Sequence, residues 1–146
     1  MKKIPVKYAL VDDEDYLRIK NFNYSLTHYG YAMRYQKGKY IFMHRDVLTP
    51  KRGEEVDHIN GDKLDNRREN LRSVTRSQNN MNSPGWSKRG SDFKGVYLCK
   101  NTGRWRVKLT KNRKQIHVGR YDTQKEAAAA YAEAAKIHYG EYARAV

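Results

Sequence analysis

The run Val56-Asp57-His58-Ile59-Asn60-Gly61-Asp62 sets a carboxylate beside an imidazole. Asn70 follows His58 by twelve residues, and Asn79 follows Asn70 by nine. A carboxylate is a hard oxygen ligand for Mg²⁺ or Mn²⁺. An imidazole can take a proton from water near neutral pH. Asparagine amides orient such groups. In a strongly basic chain these are parts for hydrolysing a phosphodiester. Neighbours on a strand point to opposite faces. Asp57 and His58 therefore converge only at a bend or strand end, which the Asn60-Gly61-Asp62 turn can supply. An Asp-His pair alone is more often structural than catalytic, so the downstream asparagines carry the weight.

The elements that must position these residues are bounded by composition. The chain has 146 residues, enough for one ordinary domain or two very small ones. Hydrophobic residues make up 38% and mean hydropathy is -1.01, so any core is modest. Tyr occurs 12 times against 3 Phe, which suits small cores and wet interfaces. Net charge is +14 and the pI about 9.9, which favours a polyanionic partner such as nucleic acid. With one cysteine, Cys99, there is no disulfide framework and no cysteine-based zinc site. A reducing, intracellular compartment is expected. No apolar run is long enough to span a membrane. Met1-Lys2-Lys3-Ile4-Pro5 lacks the apolar stretch of a signal peptide.

Charge is uneven. Residues 1–43 carry 8 basic and 4 acidic residues, residues 44–83 carry 8 and 7, and residues 84–146 carry 14 and 5. The acid-rich middle is where a cation would sit, and the basic end is where a polyanion would be gripped. Ser83-Pro84-Gly85-Trp86-Ser87-Lys88-Arg89-Gly90-Ser91 reads as a linker. Beyond it, Phe93–Lys100, Arg104–Thr110 and Gln115–Tyr121 read as three strands, with turns at Asn101-Thr102-Gly103 and Lys111–Lys114. Trp105, Val107 and Leu109 alternate with Arg104, Arg106 and Lys108, which puts cations on one face. Thr123-Gln124-Lys125-Glu126 is a capping box opening a helix to about Tyr139, with Gly140 as its stop. Upstream, Ile4–Val11 is a candidate strand and Asp12–Asp15 a helix start. Tyr31–Tyr35 and Lys39–Met43 suggest a hairpin, and residues 44–50 a short helix ending at Pro50. Asn66–Leu71 and Thr75–Asn82 read as two further short helices.

Asp57 through Asn66, then Glu69-Asn70-Leu71-Arg72 and Ser77-Gln78-Asn79, resemble the HNH endonucleases, particularly those of phages and mobile introns. The likeness covers roughly residues 40–83. It implies a two-stranded ribbon and helix around one metal. It implies His58 as general base, Asp57 and Asn79 as metal ligands, and Asn70 as a brace of the hairpin or an orienter of His58. Asn79 stands where other members carry His; a neutral amide favours Mg²⁺ or Mn²⁺ over zinc. The resemblance also implies 5′-phosphate and 3′-hydroxyl products. His44, in a His-Arg pair shared with this branch, is expected to pack beneath the site or touch a phosphate. Arg45, Arg67, Arg68, Arg72 and Arg76 are candidate backbone contacts. Asp62, Asp65 and Glu69 are expected in turns and caps.

Residues 91–146 resemble the AP2 domain, through Lys94-Gly95-Val96, Gly103 to Val107, Val118 to Thr123 and the alanine-rich helix with Tyr131. AP2 domains lay their sheet in the DNA major groove. The resemblance implies DNA contacts from Lys94, Tyr97, Arg104, Arg106, Lys108, His117 and Arg120. Trp105 falls on the core face. Cys99 and Gln115 replace basic residues common in plant members, so the DNA sequence those members prefer does not transfer. Lys111, Arg113 and Lys114 are expected to add sequence-independent phosphate attraction.

The expected fold class is α+β. Residues 1–83 would form an HNH nuclease of ββα-metal type with a β-rich extension. Residues 84–90 would be the linker, and residues 91–146 a three-stranded antiparallel sheet on one helix. The expected activity is that of a homing-type, metal-dependent DNA endonuclease acting on double-stranded DNA with Mg²⁺ or Mn²⁺. A monomer would nick; a dimer would cut both strands. The chief alternative is a binding-only, transcription-factor-like AP2 protein with a decayed nuclease half. An RNA-processing role is disfavoured by the lack of paired surface aromatics of the RNA-recognition type.

Overall fold

The structure is a computed structural model that describes residues 9–83 and 91–143. Most of the expected first strand, and the linker with Trp86, Lys88 and Arg89, lie outside the described residues. The chain divides into two compact units, residues 1–79 and 80–146. Its secondary structure is mixed, with antiparallel sheets and four α-helices among the described residues.

In the first unit, α1 (Asp13–Ile19) opens with three acids in its first turn, where the helix dipole favours them. Strands β1 (Ser25–Leu26), β2 (Ala32–Gln36) and β3 (Lys39–Phe42) form an antiparallel sheet in that order. The β2–β3 hairpin turns through Lys37 and Gly38, both at positive φ. Helix α2 (Met43–Leu48) follows at once. Strands β4 (Glu55–His58) and β5 (Leu71–Val74) pair as an antiparallel ribbon with Asp57 opposite Arg72 and His58 opposite Leu71. Helix α3 (Arg76–Asn82) comes next. The expected helix over Asn66–Leu71 shrinks to a 3-10 turn at Arg68–Asn70. Leu71 is drawn instead into the ladder opposite His58, where its side chain is buried.

The core of this unit is Ile19, Ala32, Met43, Val47, Val56 and Leu71. Polar ties set the angles around it. Arg34 grips Asp46 with two bonds of 2.6 and 2.8 Å, and the Tyr24 hydroxyl donates to Asp46 at 2.6 Å. These bonds hold α2 on β2. Arg68 donates twice to buried Asp15, at 2.7 and 2.9 Å, tying the 3-10 turn to α1. Leu10 bonds Leu64 and Asn66 through the backbone, both at 2.8 Å, and so fixes the loop that carries Asn66.

In the second unit, β6 (Val96–Leu98), β7 (Trp105–Lys111) and β8 (Lys114–Tyr121) form an antiparallel sheet packed by α4 (Gln124–Tyr139). Strand β6 is shorter than the sequence pattern suggests. Gly95 ends it at φ +70°, where a Cβ would stand 2.5 Å from the Lys108 carbonyl and overlap the Tyr131 ring. Only glycine fits there. Asn112 and Arg113, both at positive φ, make the two-residue turn between β7 and β8. The Thr123–Glu126 capping box is present. Val96, Val107, Leu109, Ala127, Ala135 and Tyr139 supply the buried core.

Candidate nuclease site and nucleic-acid face

His58 ends β4 with only 5% of its surface exposed. Its Nε2 lies 3.3 Å from Asn66 Oδ1. The amide has one orientation available, because Asn66 Nδ2 donates to the Leu64 carbonyl at 3.1 Å. An amide oxygen only accepts, so in the neutral ring Nε2 carries the proton and Nδ1 carries the basic lone pair. Tyr31 and His44 wall the ring, with centroids 6.1 and 5.2 Å away. Burial pushes the His58 pKa below its ordinary value. The Asn66 bond and the carboxylates of Asp57, Asp62 and Asp65 oppose this only in part. The imidazole is therefore neutral at pH 7, as a general base must be.

His44 packs inside the unit. It is buried at 8% exposure, stacked on Phe42 at 5.3 Å, and edge-on to both Tyr31 and His58. Burial, with lesser contributions from His58 and Arg45, pushes its pKa down to about 3.

Asp57 does not share a face with His58. Strand alternation turns it the other way, toward its cross-strand neighbour Arg72. Arg72 donates to Asp57 Oδ2 through two nitrogens, at 2.9 and 2.7 Å. Asn79 lies with Glu55, the other residue of β4 on Asp57's face. Its Nδ2 donates to Glu55 Oε2 at 2.7 Å, which leaves the amide oxygen oriented by that bond. Among the described residues no group of three His, Cys, Asp or Glu is clustered to hold a metal. The donors at hand are oxygens of Asp57, Asn79 and Glu55. Such a hard, sparse set fits Mg²⁺ or Mn²⁺, which keep several waters, and is unlike a structural zinc site. The Asp57 carboxylate is thus engaged by Arg72.

Asn70 commits its amide to the loop. Its Oδ1 accepts from the Asn60 amide at 3.0 Å and its Nδ2 donates to the Asp65 carbonyl at 2.7 Å. Bracing is thus the role its bonds describe. Asp62 makes a turn, accepting from the Leu64 amide at 2.9 Å. Asp65 does more than cap: buried at 3%, it binds Asn60 and takes two bonds of 2.8 Å from Arg67. Of the candidate backbone contacts, Arg67, Arg68 and Arg72 are thus engaged with carboxylates, whereas Arg45 and Arg76 are in no ion pair among the described residues. Sequence reasoning passed over Asn66, Tyr31, Glu55 and the partnership of Arg72 with Asp57. Strand alternation alone could have placed Glu55 beside Asp57.

The sheet of the second unit presents Tyr97, Arg106 and Arg120 in one cross-strand row, with Lys108 opposite His117 in the next. A bulge at Val107/Lys108 separates the rows. Lys108 donates to Gln115 at 3.0 Å, and Arg104 pairs with Asp122 at 2.8 Å in an exposed bridge. The buried Arg106 Nε has no hydrogen-bond partner among the described residues. Lys94 departs from the expected face. Its ammonium donates to the carbonyls of Asn80, Met81 and Ser83, so it closes the chain end that seats Met81 in the core.

Residues 49–81 match the family model described as HNH endonuclease, and residues 91–141 match the AP2 domain. A protein of Acanthamoeba polyphaga mimivirus, named an uncharacterized HNH endonuclease, is 27% identical over 141 residues, covering 93% of this chain and 73% of that protein. No solved structure matches the chain. Two successive stretches of the chain are therefore similar to HNH endonucleases and to AP2 domains.

Proposed function

We propose that this chain is a homing-type DNA endonuclease, in which the first unit hydrolyses a phosphodiester and the second binds the double helix. The observation that carries the reading is the seat of His58. The ring is buried and neutral, and it is held in one tautomer by an asparagine that is itself fixed.

Asp57 and Asn79 would hold Mg²⁺ or Mn²⁺, with Glu55 orienting the Asn79 amide and Arg72 giving way at Asp57. When bound, the cation neutralises charge developing on the phosphate and the departing oxygen. His58 Nδ1 accepts a proton from water as the water oxygen bonds to phosphorus. The bond from phosphorus to the 3′ oxygen breaks, and that oxygen takes a proton from solvent water, leaving a 5′-phosphate and a 3′-hydroxyl. Asn66 keeps the proton on Nε2 throughout, and Asn70 keeps the loop closed behind it. Cleavage needs only backbone contact, which carries little sequence information, so selection falls to the basic AP2 sheet.

A second reading has a specific observation behind it. The pairing of Asp57 with Arg72 also fits a binding-only protein whose nuclease half no longer takes a cation. Supercoiled plasmid separates the two. Wild type with Mg²⁺ or Mn²⁺ is expected to nick it, EDTA to stop the reaction, and His58→Ala to slow it about a hundred- to ten-thousandfold with DNA binding intact. Cleavage that survives His58→Ala would refute the mechanism. Binding without cleavage under any cation would favour the second reading.

A further inference from the structure

The β2–β3 hairpin carries a feature the nuclease reading does not use. Tyr35 and Tyr40 are cross-strand partners near its tip, with ring centroids 5.1 Å apart and planes tilted by 56°. They are 65% and 68% exposed. Lys37 and Lys39 flank them in and beside the turn. Residues 16–45 contain no Asp or Glu, and their cations are Arg18, Lys20, Arg34, Lys37, Lys39 and Arg45. The next thirty residues, 46–75, balance seven acids against six bases. Arg18 and Arg34 are neutralised by Asp15 and Asp46, which leaves Lys37 and Lys39 as the cations at the hairpin tip.

Register then links the tip to the catalytic ring. Met33 pairs with Phe42 two residues below the tyrosines, on the same face by strand alternation. Phe42 stacks on His44, and His44 meets His58. Tyr40 and Phe42 are two residues apart on β3, roughly 6.6 Å along the strand. Beside Tyr35, where β1 ends short, a cleft of about 510 Å³ is lined by Asn21, Phe22, Asn23 and Gln36.

Resting on the nuclease reading for its choice of partner, we infer that this hairpin tip is a stacking grip on the DNA strand that the first unit cleaves. Tyr35 and Tyr40 take the faces of unstacked bases, and Lys37 and Lys39 take the flanking phosphates. Base–aromatic stacking is strong enough for each ring to matter and is indifferent to sequence.

The test uses the full chain carrying His58→Ala, in EDTA, so that binding is read apart from cutting. The probes are a labelled duplex with a short unpaired bubble and the same duplex fully paired. The parent is expected to prefer the bubble. Tyr35→Ala/Tyr40→Ala should lose about tenfold on the bubble and erase the preference, while Tyr35→Phe/Tyr40→Phe keeps both. Lys37→Gln/Lys39→Gln should lower the slope of log affinity against log salt by about two phosphates' worth. Equal affinity of the alanine and parent proteins, both folded by thermal unfolding, overturns the inference; so does a parent indifferent to the bubble. A tyrosine effect in a protein that never cuts plasmid leaves the grip standing and removes only the nuclease reading.

Discussion

The His44 ring stands edge-on to the His58 ring, centroids 5.2 Å apart and planes at 88°. A buried neutral histidine thus forms one wall of the proposed base. The native His44 ring refuses a proton until about pH 3, against 6.5 for an exposed histidine. Between those values the unfolded chain binds a proton that the folded chain does not. Stability therefore falls as pH drops through that window, by up to about 1.4 kcal/mol per pH unit. His58 shifts in the same direction and adds to the fall. His44→Phe, which keeps an aromatic wall, should flatten the slope. Urea unfolding at about pH 7 and about pH 5 measures it, and equal slopes in the two proteins would refute the assignment.

Asn66 fixes the tautomer of His58, so its substitutions should split by chemistry. Asn66→Ala should lower the cleavage rate about ten- to a hundredfold with DNA affinity unchanged. Asn66→Asp puts a carboxylate on Nε2, favours the imidazolium and raises the pKa of the base. The acid limb of the pH–rate profile should then move to higher pH. A profile that stays in place would mean Asn66 does not act through His58.

If Asp57 holds a cation as proposed, that cation must displace Arg72. Arg72→Gln leaves a carboxylate that is 7% exposed without its guanidinium, and should destabilise the metal-free protein by about 3 kcal/mol. Added Mg²⁺ or Mn²⁺ should then raise the melting temperature more in the variant than in wild type. An equal or smaller rise would place the cation away from Asp57.

Lys94 and Arg106 should behave oppositely, although both lie in stretches that resemble the DNA-reading sheet. Lys94 binds three backbone carbonyls, so Lys94→Met should lower stability by about 1–3 kcal/mol and leave DNA affinity alone while the protein is folded. Arg106→Ala should leave the melting temperature nearly unchanged and weaken DNA binding about tenfold. Paired thermal-melt and binding measurements decide; a Lys94 variant that keeps its melting temperature and loses binding would reverse the reading.

What could be read ahead of the structure depended on the range of the interactions. The Lys37-Gly38 turn, the Thr123–Glu126 box and the alternation of β7 are set by neighbours a few residues apart, and they stand where the pattern put them. The pairing of Asp57 with Arg72 depends on the register of a ribbon closed by a twelve-residue loop, Ile59–Asn70. Nothing local fixes that register. Asn66 reaches His58 only because residues 9–11 clamp its loop from across the unit. Lys94 looked like a surface cation because its acceptors are carbonyls, which a one-letter sequence does not display.

The turn at Asn112 and Arg113 has a consequence for anyone improving this protein. Asn tolerates a left-handed backbone; Arg113, at φ 63°, is held there against a steric cost of roughly 1 kcal/mol. Arg113→Gly should therefore make the domain harder to melt and, by removing a cation from the loop, easier to wash off DNA with salt. Robustness and grip are opposed at this single position, and a screen selecting for thermal resistance alone would erode the binding it meant to preserve.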